Sequence, residues 1–392
     1  MRGCRTLRLA KNISIKMLAA IIMVSLFIAC ETKEVTDTAT ETVNPTAPIS
    51  TSAGRTLEPT SITATKKPAE TYPTPILDVK TSPSTVSITA IVNLSLETKF
   101  TINPNLCKDN QGPDCTELRL GDDYFTTSLP KIGYLYSCSD KNPNAPGSIE
   151  SELTWIDFAD KTWNFLQKLW LPEATSGFDQ GSYAEVSSGQ TREITITNLP
   201  VDGKIGDWPM TAYPILTKID GNPGIPAFQK SSLSYSSNPE EETTPTCVSL
   251  GAIGVTKNGV VIYNAADARG EDAVAREIVD VFGGHPAGSN YHYHFIPERL
   301  DNEFLSDGHS GIVGYINDGF PIYGYKGKNG IEMSNDDLDL CHGHDHGSLG
   351  YHYHATIEYP YTVGCYRGTP SSVESNQVQP GGPPEGSPRR RP

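Results

Sequence analysis

Ile253-Gly254-Val255-Thr256-Lys257-Asn258-Gly259-Val260-Val261-Ile262-Tyr263 decides the architecture. Two β-prone runs flank Asn258-Gly259, a dipeptide that readily supplies the positive-φ positions of a tight hairpin turn. Sixty residues on, Ile312 to Ile316 and Phe320 to Tyr323 flank Asp318-Gly319 in the same way, and Ile262-Tyr263 recurs as Ile322-Tyr323. The same offset carries Tyr291-His292-Tyr293-His294 onto Tyr351-His352-Tyr353-His354. Two landmarks sharing one spacing predict an internal duplication in the C-terminal half, with modules at about 251–310 and 311–370.

Each module reads as a hairpin, a spacer, a histidine loop and a Tyr-His-Tyr-His strand. The first spacer predicts a short helix capped by Asp272, with Val274, Ile278, Val281 and Phe282 on one face and Gly283-Gly284 ending it before His285. The second is the acidic run Asn335 to Leu340, which leads into Cys341-His342-Gly343-His344-Asp345-His346. Neither unit buries a face alone, so the two are expected to pack about a pseudo-twofold axis that brings equivalent strands together. Upstream, short β-prone runs such as Val86 to Val92, Ile132 to Tyr136 and Ile194 to Thr197 alternate with breakers, and no long helical period is present. Trp155, Trp163, Trp170 and Trp208 read as core anchors. The fold class is therefore mainly β with short helices, over a folded part at 86–370.

The N-terminus reads as an export signal over residues 1–30. Arg2, Arg5, Arg8, Lys11 and Lys16 precede an apolar run from Met17 to Ala29, too short for a permanent span, that ends at Cys30. Leu26-Phe27-Ile28-Ala29-Cys30 resembles a bacterial lipobox, which makes Cys30 the expected lipidation site and the membrane, through that lipid, the expected partner. The Thr/Pro-rich stretch 31–85 lacks the apolar residues needed to offset ordering and reads as a disordered tether to a core outside the cytoplasm. The 371–392 segment reads as a solvated tail. A formal net charge of -15 argues against a nucleic-acid partner.

Beyond Cys4 and Cys30 stand Cys107, Cys115, Cys138, Cys247, Cys341 and Cys365. An even number in an oxidising compartment predicts disulfides. The favoured pairing joins Cys107 to Cys115 across a short loop and Cys341 to Cys365 around the histidine segment, leaving Cys138 with Cys247. No thiolate then remains for a metal.

All nine histidines lie between His285 and His354, where an even scatter would place about two. On a strand, residues two apart share a face, so His292 pairs with His294 and His352 with His354, with the tyrosines opposite. Imidazole sets of this kind suit zinc or copper better than calcium or magnesium. His285, His342 and His344 are expected in or beside the site, His309 on a neighbouring turn is a further donor, and His346 is the weakest member. The four strand histidines are expected to converge on one site whose metal weakens as pH falls through about 6. Asp307, Asp318, Asp345, Glu298 and Glu358 are candidates for orienting imidazoles or accepting a proton, although each reads more simply as a turn or surface carboxylate. A blue-copper site is excluded because Cys341 is assigned to a disulfide and Met333 is the only methionine after Met210. There is no G-x-S-x-G elbow, H-E-x-x-H helix or phosphate loop.

The chain resembles the bacterial YHYH-domain family. Besides the two motifs, the resemblance rests on Gly283-Gly284-His285-Pro286, on Asp318-Gly319-Phe320-Pro321-Ile322-Tyr323-Gly324, on Cys341-His342-Gly343-His344 and on Tyr361 to Gly368. Upstream it includes Gly133 to Cys138, Trp155 to Trp163, Asn198-Leu199-Pro200, Gly206-Asp207-Trp208-Pro209 and Cys247. It spans about Leu94 to Pro370. Similar proteins often carry a cysteine before Gly-Gly-His-Pro and another after the first motif. Here Phe282 and Pro297-Glu298-Arg299 stand instead, as if one disulfide had been lost. The resemblance implies the extent of the domain and no particular activity. Two function classes stay open: a metal-dependent hydrolase or copper redox protein, and a non-catalytic extracellular binding or adhesion module with structural histidines. An open coordination position separates them.

Overall fold

The computed structural model describes residues 106–371 other than 108–110, 176 and 223. The 1–30 segment with Cys30, the 31–85 stretch, the expected Val86 to Val92 strand and the 372–392 tail lie outside the described residues. Among the described residues no helix is long and apolar enough to cross a membrane.

The upstream half contributes short strands. β1 (Leu118–Arg119), β4 (Ile156–Asp157) and β5 (Thr162–Trp163) form a small antiparallel sheet, and β2 (Phe125–Thr126) pairs in parallel with β3 (Leu135–Tyr136). β6 (Tyr183–Ser188), β7 (Thr191–Ile196) and β8 (Ser231–Ser236) form an antiparallel meander, and α1 (Pro214–Ile219) connects β7 to β8. Downstream lie β9 (Ala252–Thr256), β10 (Val261–Tyr263), β11 (Gly284–Ala287), β12 (Asn290–Tyr293), β13 (Ile312–Ile316), β14 (Pro321–Tyr323), β15 (Gly343–Asp345) and β16 (Tyr351–His354). These eight make one sheet in the order β11-β12-β10-β9-β13-β14-β16-β15.

The two hairpins form where the sequence places them, with Gly259 and Gly319 at φ 80° and 91°, backbone that glycine adopts freely. From each hairpin outward the pairing is the same. β9–β10 is antiparallel, β10–β12 parallel and β12–β11 antiparallel, and β13–β14, β14–β16 and β16–β15 repeat that series. The halves meet through the antiparallel β9–β13 pair. This arrangement corrects the expectation that the two Tyr-His-Tyr-His strands are neighbours. β12 and β16 have four strands between them, roughly 24 Å at the usual strand spacing. The central places go to β9 and β13, whose runs Ile253 to Thr256 and Val313 to Ile316 are buried throughout, as strands covered on both faces must be.

Each face of the sheet has its own apolar layer. On one, Trp155, Trp163, Trp170 and Trp208 join Ile262, Ile322 and the motif tyrosines in the main core, as the anchor reading expects. On the other, Ile194, Ile196 and Tyr235 of the meander pack on Val255, Val261 and Tyr315. Val261 is in register with His292 and Ile262 with Tyr293, so the histidines occupy the meander side and the tyrosines the tryptophan side.

The helix expected across Asp272 to Phe282 is only one turn, α2 (Ala273–Arg276), with Asp272 capping through Ala275 N–H at 3.1 Å. Beyond it the β-branched Ile278, Val279 and Val281 favour extended backbone. Leu171 N–H donates to Val279 O, Val281 N–H donates to Leu171 O, and Ile278 N–H donates to the Asp220 carboxylate. Glu277 thereby leaves the helix in extended conformation. The three disulfides are Cys107–Cys115, Cys138–Cys247 and Cys341–Cys365, the favoured pairing.

Candidate metal centres

The tyrosines of each motif fix the histidines by burying their rings and bonding their hydroxyls. Tyr291 donates to Asp280 at 2.7 Å, Tyr351 to Asp339 at 3.2 Å and Tyr353 to Asp318 at 2.6 Å, while Tyr293 accepts from Arg299 at 3.0 Å. Asp280 and Asp339 also shape the loops before His285 and His344. Asp280 accepts from Phe282 N–H and Gly284 N–H, and Asp339 from Cys341 N–H and Gly343 N–H. His285 is thereby set opposite His292 across β11–β12, and His344 opposite His352 across β15–β16.

The first centre gathers His285, His292 and His294, all buried, with one ring nitrogen of each within 4.8 Å of the others. His292 Nδ1–H donates to Asn290 O at 3.1 Å and His294 Nδ1–H to Asn264 O. A carbonyl only accepts, so each Nδ1 carries the proton and each Nε2 presents a lone pair. Those two Nε2 atoms face one another at 3.1 Å. Two lone pairs at that separation repel unless a proton or a metal lies between them. Glu277 Oε2 stands 3.3 Å from His285 Nε2 and 3.8 Å from His294 Nε2.

The second centre gathers His309, His344, His352 and His354 in the same way. His352 Nδ1–H donates to Gly350 O at 2.8 Å, His354 Nδ1–H to Gly324 O at 2.7 Å and His309 Nδ1–H to Ser310 O at 2.7 Å. His352 Nε2 faces His344 Nε2 at 3.1 Å and His309 Nε2 at 3.3 Å, and the buried His354 Nε2 has no partner among the described residues. The two carbonyl acceptors repeat those of the first centre at an offset of sixty: Asn290 becomes Gly350 and Asn264 becomes Gly324. Around an ion bonded at about 2.0–2.1 Å, tetrahedral ligands lie roughly 3.3–3.4 Å apart, close to the separations found here.

One comparison with known proteins finds a match to the chain. Residues 232–336 match the YHYH protein family. The match takes in the first motif, His285 and His309, and ends before the second motif. No curated protein and no solved structure matches the chain.

Within and beyond the matched YHYH domain, seven of the eight candidate ligands assemble, in two groups and not at one point. His342 belongs to neither. At φ 74° it turns to donate through Nε2 to Thr356 Oγ1 at 3.0 Å, and the Thr356 hydroxyl donates in turn to Glu358 O at 2.9 Å. His346 stacks beside His309 at 5.2 Å between ring centroids, outside the tight group. Of the carboxylates considered from sequence, Asp307 accepts from His309 N–H, Asp318 from Tyr353 and the Arg367 and Gly368 amides, and Glu358 from Gln111 and Asn335. Glu277, Asp280 and Asp339, none of them among those candidates, also shape the centres. The last two share a legible signal, an aspartate four residues before the glycine that precedes His285 or His344. Phe282 occupies in the first loop the position of Cys341 in the second.

Burial revises the pH dependence expected from sequence. Desolvation lowers all seven clustered imidazoles, His294 to about 4 and His352 to about 3. Protons thus compete for these nitrogens in the folded protein below the ordinary imidazole value of about 6.5, and for His285, His292, His294, His352 and His354 well below it. For folding the sign is the usual one for a lowered base. The unfolded chain binds more protons, so the contribution is intact above about 6.5 and declines as pH falls from there toward the folded values. Metal content measured by equilibrium dialysis, with circular dichroism to follow folding, is expected to hold from pH 7 to pH 5 and to fall near pH 4. Half-release near pH 6 with the fold intact would contradict this.

Proposed function

We propose that this chain is an exported protein, lipid-anchored at Cys30, whose function is to bind two copper or zinc ions. One is held by His285, His292 and His294, the other by His309, His344, His352 and His354. The observation that carries the reading is the facing of imidazole lone pairs at 3.1–3.3 Å in both clusters, with the opposite ring nitrogens of five of the seven histidines committed to backbone carbonyls. Carbonyls that fix the tautomer and aim of an imidazole are the usual outer support of a metal-bound histidine. Three or four nitrogen donors suit zinc and copper. The basic-apolar N-terminus ending at Cys30 and the three disulfides support a setting outside the cytoplasm. The repeated hairpins, motifs and carbonyl acceptors support descent of the two halves from one duplicated module.

Elemental analysis of the protein purified from its native membrane fraction tests this. Copper and zinc together are expected near two equivalents per chain. Less than about 0.2 equivalents of either, in protein that also takes up none on dialysis against the ions, would overturn the reading.

A further inference from the structure

The two clusters differ in one donor and in exposure. Centre two reaches four nitrogens because His309 comes from the turn before β13. Centre one has three, and beside them among the described residues stands the Glu277 carboxylate, which can bind a cation. Glu277 is held at both ends of its peptide unit, its N–H donating to Ala273 O at 3.0 Å and its carbonyl accepting from Lys168 Nζ at 2.6 Å. His285 is 3% exposed, and neither of its ring nitrogens has a hydrogen-bond partner among the described residues. A buried imidazole without partners is costly. Its Nε2 faces Glu277 Oε2 across 3.3 Å, about the spacing of two ligands on one ion.

In the second half the position equivalent to Glu277 is the exposed Asp336, and the next residue, Asp337, is occupied by the Ser334 amide and hydroxyl. Among the described residues no carboxylate oxygen is grouped with the four imidazoles of centre two. Access differs as well. β11 is overlaid by the segment in which Asn222 donates to Pro286 O, Ile225 N–H to Gly288 O and Ala227 N–H to Ser289 O. β15 runs out into the exposed Asp345, with His344 and His346 half-exposed.

We infer that Glu277 is the fourth ligand of the first centre, closing it as a slowly exchanging divalent site, while the all-imidazole second centre is the one that exchanges metal with solution. The inference rests on the two-centre reading above and adds the ligand and the division of roles. Four protein ligands then complete each centre, so the difference in exchange rests on access. Exchange requires a path for the ion, and the half-exposed edge at His344 is such a path.

Metal release to excess chelator tests it on the full chain loaded with zinc or cobalt(II). Wild type is expected to release one equivalent fast and one slowly. Glu277→Gln is expected to accelerate the slow phase at least about tenfold and to leave the fast phase within about twofold. His352→Ala with His354→Ala is expected to abolish the fast phase alone. Glu277→Asp, which keeps the charge at shorter reach, is expected to fall between wild type and Glu277→Gln. The cobalt(II) spectrum of the remaining centre in the His352/His354 variant should change on adding Glu277→Gln, since an oxygen donor is lost. Two equivalents bound with a slow phase and spectrum unmoved by Glu277→Gln would overturn the inference and leave the two-centre reading standing. Failure of wild type to bind any metal would overturn both.

Discussion

Loading both centres with zinc is expected to raise the thermal midpoint of the folded core by at least about 10 °C. An ion that binds only the folded chain stabilises it by about 4 kcal/mol when free ion exceeds the dissociation constant a thousandfold. Two centres act together, and in a core of this size 1 kcal/mol moves the midpoint roughly 2–4 °C. The physical source is visible in the clusters. Without an ion the Nε2 atoms of His292 and His294, and of His352 and His309, hold lone pairs together at 3.1 and 3.3 Å in surroundings that disfavour protonation. With an ion that repulsion becomes coordination that ties β11 to β12 and β15 to β16. Calorimetry with and without chelator measures the difference. A shift below about 2 °C at saturating zinc would show that the clusters bind nothing of structural weight.

Replacing Asp280 is the substitution with the largest expected cost. Its carboxylate is fully buried and accepts from Gly206 N–H at 2.8 Å, Trp208 Nε1–H at 3.1 Å, Tyr291 hydroxyl at 2.7 Å, Phe282 N–H at 2.9 Å and Gly284 N–H at 3.2 Å. Asp280→Ala strands those donors in the core at about 1–3 kcal/mol each before relaxation. The expected loss is at least about 4 kcal/mol, comparable with the whole stability of many domains. Asp280→Asn keeps the shape and one acceptor oxygen and tests the link to the site. It is expected to weaken the first centre about tenfold or more through the misplaced His285 loop, and to spare the second, whose loop rests on Asp339. Chemical denaturation and zinc titration of the two variants check both. An Asp280→Ala midpoint within error of wild type would remove Asp280 from this role.

The parts of this fold legible in sequence are those specified by local rules. Asn258-Gly259 and Asp318-Gly319 dictate hairpins by turn chemistry, and the alternation of Tyr and His dictates which side chains share a face. Loop lengths and an even cysteine count favour the three disulfides found among the described residues, without dictating them. The order of strands in the sheet is not local. The pairing of β9 with β13 depends on apolar coverage of both faces, and it carries the two motif strands to opposite flanks where the sequence suggested a shared site. Glu277 was hidden for a different reason. A helix running to Phe282 would have left it on a helical surface, but Ile278, Val279 and Val281 with the hydrogen bonds to Leu171 and Asp220 hold the chain extended and aim the carboxylate at His285. His342 shows the converse, since a His-Gly-His loop reads as two equivalent donors until the left-handed backbone at His342 separates them.

The claim that two independent centres exist is tested most directly by zinc stoichiometry in four forms of the chain, measured by dialysis and elemental analysis. Wild type should bind two equivalents, the His292→Ala/His294→Ala variant one, the His352→Ala/His354→Ala variant one, and the fourfold variant none, with each remaining site keeping its wild-type affinity. Loss of all bound zinc in either pair variant while its fold persists would mean one shared site, and would contradict the account.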